Sequence, residues 1–272
     1  MAKCLTLNAH SWLEDIPLKR LFDIAEHILE MDYDIVCLQE INQLRTSPVA
    51  KELQNYIPIA ETPPIHEDNY ALYLVNYLRN HGRNYYWSWA YNHIGYQDFH
   101  EGVVILSKTP FEAQDILVSD FDDETNFHTR RVLVAQMELD GVPVTVTSLH
   151  LSWEGRGFEP EWQRLEHYLQ GFSTPLLLMG DFNAPTHSDG YSLILESSLG
   201  LHDCHETAVH SQGDHTIVAD IDGWEGNEDA LKVDHIFASK ELEVKTSFVS
   251  FDGGNAPVVS DHYGIAVEVG WV

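Results

Sequence analysis

The run Gly180-Asp181-Phe182-Asn183 directly follows the apolar stretch Pro175-Leu176-Leu177-Leu178-Met179. A short apolar run of this kind reads as a buried strand. Strand side chains alternate, so Asp181 and Asn183 leave its end on one side of the sheet, a carboxylate beside a carboxamide. Glu40 closes a second apolar run, Ile35-Val36-Cys37-Leu38-Gln39, and Ser260-Asp261-His262 stands near the C-terminus. Carboxylate and amide oxygens are ligands for a hard ion such as Mg²⁺, and a histidine exchanges protons near neutral pH. The three polar tips together describe one pocket for a hard metal ion and a phosphate.

The elements that must carry these tips are legible as runs rich in Val, Ile, Leu and Thr. Strands are expected over residues 3–8, 35–39, 102–107, 131–139, 142–151, 175–179, 231–238, 244–251 and 264–269. Asp140-Gly141, between two of these runs, favours the positive φ of a tight hairpin turn. Apolar residues recur at helical spacing from Leu18 to Leu29, with Pro17 in the first turn, and from Tyr70 to Leu78, closed by Gly82. Trp162 to Leu169 gives a third helix and Tyr191 to Leu195 a short fourth. Hairpins mixed with helices imply an α/β (α+β) sandwich, two packed and mostly antiparallel sheets with helices outside. No linker or repeat interrupts the 272 residues, and the polar tips span the whole length, so one domain over 1–272 is expected.

Composition narrows the partners. Asp plus Glu number 43 against 15 Lys plus Arg, a formal charge of −28. No basic run exceeds two residues, so a long nucleic acid would be repelled, whereas a small phosphorylated substrate can be neutralised by a metal. No apolar run reaches the length of a membrane span, and the first residues turn polar too early for a signal peptide. Cys4, Cys37 and Cys204 are odd in number and lack CxxC spacing, which reads as reduced thiols in a cytoplasmic protein.

The spellings Leu7-Asn8-Ala9-His10, Leu38-Gln39-Glu40, Glu101-Gly102-Val103-Val104-Ile105-Leu106-Ser107, Ser148-Leu149-His150-Leu151, Gly180-Asp181-Phe182-Asn183, Val233-Asp234-His235-Ile236 and Ser260-Asp261-His262 come in one order along the chain. In that order the set resembles the endonuclease/exonuclease/phosphatase superfamily. The resemblance implies a four-layer αββα (DNase I-like) sandwich and Mg²⁺-dependent hydrolysis of phosphate esters, with Mn²⁺ as a substitute. It makes Glu40 the principal metal ligand, joined by Asn8 through its amide oxygen and by Asp261. It makes Asp181 the base for the attacking water, with Asn183 donating to the phosphoryl oxygens. His262 contacts the phosphate or shuttles a proton, Asp234 holds its other ring nitrogen, and His150 stabilises the reacting phosphorus or protonates the leaving oxygen. Arg130 or Arg131 supplies a guanidinium to the phosphate; Arg130 is taken as the contact, although sequence leaves open which of the two points inward. His10 faces either this pocket or solvent, and His235 has no assigned role.

The segments between these signatures bear on the substrate. Glu67-Asp68-Asn69-Tyr70-Ala71-Leu72, His93-Ile94-Gly95-Tyr96, Leu151-Ser152-Trp153 and Ile221-Asp222-Gly223-Trp224 resemble the sugar-phosphate branch of the superfamily, that of the maltose 6'-phosphate phosphatases. Tyr96, Trp153 and Trp224 would offer flat apolar faces to a pyranose. The expected activity is release of inorganic phosphate from a sugar phosphate; the alternative is a nuclease or other phosphodiesterase of the same superfamily.

Overall fold

The computed structural model describes residues 1–218 and 220–272. Its strands are β1 (Ala2–Asn8), β2 (Ile35–Leu44), β3 (Tyr86–Gly95), β4 (Phe99–Ser107), β5 (Phe111–Leu117), β6 (Arg131–Leu139), β7 (Val142–His150), β8 (Leu176–Asp181), β9 (Leu201–Asp203), β10 (His210–Gln212), β11 (Ile217–Val218), β12 (Ala230–Leu231), β13 (Asp234–Ser239), β14 (Leu242–Ser250) and β15 (Gly264–Trp271). Among the described residues they form a seven-stranded sheet in the order β10-β14-β15-β1-β2-β4-β3, a six-stranded sheet in the order β5-β6-β7-β8-β13-β9, and the small pair β11-β12. The pairs β1–β2, β7–β8 and β10–β14 are parallel, the others antiparallel.

The continuous apolar runs are explained by burial on both faces. Cys4, Cys37, Ile105 and Val267 of the first sheet meet Ala135, Val146, Leu177 and Met179 of the second in the central layer. The alternate residues Leu5, Leu7, Val36 and Leu38 face outward and are covered by α1 (Pro17–Met31) and α2 (Tyr70–Asn80). On the far side Leu149, Leu176, Leu178 and Phe237 pack under α3 (Phe158–Leu169) and α4 (Asp189–Leu195). The result is a four-layer αββα sandwich of the DNase I-like type. All three cysteines are free and buried. Among the described residues no helix is long and apolar enough to cross a membrane.

The hairpin at Asp140-Gly141 has positive φ at both turn residues, 52° and 80°, as its sequence requires. Two expectations change. The sheet edges β3, β5, β9 and β10, among them the aromatic segment 86–95, are strands that the sequence did not announce. The expected strand 231–238 is broken between β12 and β13, because the amides of Val233 and Asp234 both donate to Thr216 Oγ1, at 3.0 and 3.2 Å.

Candidate active site

The polar strand ends gather at one end of the gap between the sheets. In the second sheet three adjacent strands place His150, Asp181 and Asp234 in a single row: His150 is the register partner of Asp181 across β7–β8, and Asp234 is its partner across β8–β13. The strands approach so closely at Gly180 that a Cβ there would fall 2.1 Å from Leu149 O. In the first sheet Asn8 ends β1 on the inward-facing set that contains Cys4 and Thr6. Glu40 follows the inward Gln39 and by alternation should point the other way. It turns toward the gap because φ is +54° and the β2–β4 register slips between Leu38 and Ile41, a bulge that re-aims one side chain.

Asn8 joins the two sheets. Its Nδ2 donates to Glu40 Oε1 at 2.8 Å and to Asp181 Oδ2 at 3.1 Å, while its Oδ1 accepts from His10 N at 3.3 Å. The amide therefore presents its nitrogen, not its oxygen, to the acids. Asp181 is fully buried, and its Oδ1 accepts the Asn183 amide at 2.9 Å. Its Oδ2 lies 3.6 Å from His150 Nε2 and 3.8 Å from His262 Nδ1. His262 Nδ1 is 2.9 Å from Asp234 Oδ2, which leaves the other ring nitrogen for the cavity that His262 lines. Asp261 points to His10, 3.8 Å away, and His10 pairs with Glu14 at 3.0 Å.

This geometry governs the proton affinities. Burial, the Glu101 charge and Asp261 push Glu40 up to about 8 against the opposing pull of His10 and Asn8. Burial and Asp234 push Asp181 up to about 7 against His262 and the hydrogen bonds from Asn8 and Asn183. Burial, reinforced by Arg130, His262 and His93, holds His150 well below the usual histidine range. Burial opposes a charge on His262, but Asp234 and Asp181 outweigh it and hold the ring protonated. These carboxylates repel one another, and among the described residues Asp234 Oδ1 and Glu101 Oε2 are buried without a hydrogen-bond partner. A hard cation beside Glu40 would ease the repulsion among the acids, and the carboxylates of Glu40 and Asp261 are donors of the right chemistry.

A cavity of about 390 Å³ opens onto the row, lined by Glu40, Asp181, Asn183, His150 and His262 together with Arg130, Tyr96 and Trp153. Arg130 is the inward arginine: it is buried, its Nε has no partner among the described residues, and its guanidinium lies 6.0 Å from the Trp153 ring centre. Arg131 faces the opposite way, bound to Asp115 at 3.1 Å and Asp122 at 2.8 Å. Asn183 is more constrained than its sequence implied. Its Nδ2 donates to Leu151 O at 2.9 Å and its Oδ1 accepts from Trp224 Nε1 at 3.0 Å. Trp224 is not among the residues lining the cavity; it holds Asn183 in place rather than offering its face. His235 is structural, with Nε2 2.9 Å from Ala184 O.

Sequence reasoning gave no role to Glu101, His93, Phe127, His128 or Arg156, all of which line the cavity. Glu101 lay within a quoted motif. Its partner His93, 3.3 Å away, is its register neighbour across β3–β4, a pairing hidden until β3 is known. Burial would raise the Glu101 acid, but the hydrogen bond and charge of His93, with Arg130, hold it below its usual range.

Solved structures share this architecture. An endonuclease/exonuclease/phosphatase family protein from Leptotrichia buccalis C-1013-b is 28% identical, with a TM-score of 0.86 and full coverage of both chains. A mannosyl-6-phosphatase of Bacteroides thetaiotaomicron VPI-5482 is 16% identical at a TM-score of 0.67, again over both full chains. The human Nocturnin catalytic domain, solved with bound sulfate, is 17% identical at 0.68, covering 100% of this chain and 94% of its own. At these last two identities the likeness is one of fold. No curated protein sequence matches significantly. Residues 17–262 match the endonuclease/exonuclease/phosphatase family, and with the motif order and the converged strand ends the chain belongs to that family of hydrolases.

Proposed function

We propose that the chain is a Mg²⁺-dependent phosphatase that releases inorganic phosphate from a sugar phosphate, of which maltose 6'-phosphate is an example. The observation that carries this reading is one small cavity in which Glu40, Asp181, His150, His262 and Arg130 meet beneath Tyr96 and Trp153. Its volume lies near the lower end of small-ligand pockets, about 300–1,000 Å³. Acidic Asp222 and Glu225 stand in its lining. Acids accept hydrogen bonds from sugar hydroxyls but repel a second phosphate, which favours a neutral leaving group over a polyanionic chain.

In this reading Glu40 is the principal holder of Mg²⁺, assisted by Asp261; the bound ion would neutralise phosphoryl oxygens and a developing negative charge. Asn8 keeps Glu40 and Asp181 at a fixed separation. Asp181, raised toward neutrality, accepts a proton from water as its oxygen attacks phosphorus. Arg130 offers its guanidinium to the phosphoryl oxygens. The P–O bond to the sugar breaks and the departing oxygen takes up one proton, which His262 is positioned to supply. His150, kept neutral, can donate one hydrogen bond without adding charge. The products are the free sugar and phosphate.

The test is phosphate release from sugar phosphates, nucleotides and inositol phosphates side by side, with Mg²⁺ or Mn²⁺. Turnover concentrated on sugar phosphates and abolished in Glu40→Ala is the expected outcome. Activity on DNA with none on the panel, or full turnover by Glu40→Ala, defeats the reading.

A further inference from the structure

Two loops from different sheets meet over the cleft. The turn from β3 to β4 carries Tyr96, the segment from β11 to β12 carries Asp222, and the Tyr96 hydroxyl donates to the Asp222 carboxylate. Both residues line the cavity that holds Asp181 and His262. Neither loop is loose at this point. Tyr96 and Gln97 both sit in the left-handed region, with φ 50° and 67°, a conformation that side-chain-bearing residues keep only when their surroundings enforce it. On the other side Gly223 lies against Trp153 so tightly that a Cβ would fall 2.3 Å from Cζ2. The next residue, Trp224, is tied to Asn183 at 3.0 Å. The Asp222 loop is thus anchored to the segments that follow β7 and β8, and Asp222 reaches from it to the β3–β4 turn.

We propose that the Tyr96–Asp222 bridge closes one end of the catalytic cleft and confines the enzyme to terminal phosphates, excluding a phosphate esterified on both sides. This rests on the phosphatase reading of the same cleft. A monoester places one group beyond the phosphate, and the cavity beside Trp153 and Arg130 receives it. A diester carries a second group, which must leave the cleft on another side. The bridge joins the β3–β4 turn to the β11–β12 loop at the cavity lining, and Asp222 adds a negative charge there. Specificity for the terminal phosphate is in this sense a matter of excluding the alternative rather than of extra attraction.

The experiment compares p-nitrophenyl phosphate with bis(p-nitrophenyl) phosphate, in Mg²⁺, for the parent enzyme, Asp222→Ala and Tyr96→Phe. The variants cut the bridge from different loops, and both side chains are exposed, so the fold does not depend on either. The parent is expected to favour the monoester. Loss of a charge-assisted hydrogen bond should raise the diester-to-monoester ratio of kcat/KM about tenfold in each variant. A diester kcat/KM that does not rise in either variant overturns the bridge and leaves the phosphatase reading standing. A parent that prefers the diester, or turns over neither ester, sinks that reading and the role of the bridge with it.

Discussion

Replacing Asp234 by Asn isolates one interaction at nearly constant shape. Asp234 Oδ2 is 2.9 Å from His262 Nδ1 and the carboxylate is wholly buried. The amide keeps the volume but removes the charge that, with Asp181, holds His262 protonated against burial. A charge-assisted hydrogen bond contributes roughly 1.5–3 kcal/mol, so kcat should fall roughly 10- to 150-fold. If His262 acts as the protonated partner, activity declines as pH rises through its pKa. That pKa is raised in the parent and drops when the counter-charge goes, so the alkaline limb of the variant's profile should move to lower pH. The assay is initial phosphate release from a sugar phosphate across pH at saturating Mg²⁺, with urea unfolding as a control for folding. A kcat within about threefold of the parent, together with an unmoved alkaline limb, would refute the reasoning.

Two further outcomes concern the frame around the site. Lys232 and Asp203 form a buried pair at 2.9 Å, and although burial opposes it, His235 and Lys232 hold the Asp203 acid far below its usual range. Lys232→Met should cost about 3–5 kcal/mol in urea unfolding at neutral pH, because the buried Asp203 carboxylate loses its lysine counter-charge. A depressed acid stabilises the fold above its unfolded pKa of about 3.9 and loses that contribution below it, so the gap between parent and variant should narrow in acid; a gap independent of pH contradicts the assignment. Gly180→Ala would force a Cβ to within 2.1 Å of Leu149 O, and a destabilisation of about 1–3 kcal/mol with loss of turnover is expected, read as a lowered melting temperature; an unshifted melt would show that the β7–β8 approach is not tight.

The layers were legible because strands such as β1, β7 and β8 bury both faces and so appear as unbroken apolar runs, while the Asp140-Gly141 turn carries its own conformational signature. The row of His150, Asp181 and Asp234 was legible as chemistry, since each ends or begins such a run. What failed to show was anything set by register. Glu40 reaches the gap through a bulge that no residue type announces. Arg130 and Arg131 are chemically equal neighbours, and only the pairing of Arg131 with Asp115 and Asp122 reveals which is left for the cleft. Trp224 was read from its aromatic face, whereas its N–H is what the site uses. The roles of His93 and Thr216 depend on contacts that only the folded chain makes.

The three-strand row sets a ruler beneath the chemistry. Neighbouring strands lie about 4.8 Å apart whatever their side chains, so the separation of His150, Asp181 and Asp234 is fixed by backbone pairing. The surrounding turns, carrying Tyr96, Trp153 and Asp222, stand outside that lattice. Lengthening or recomposing them can therefore exchange one leaving group for another without moving the atoms that break the bond.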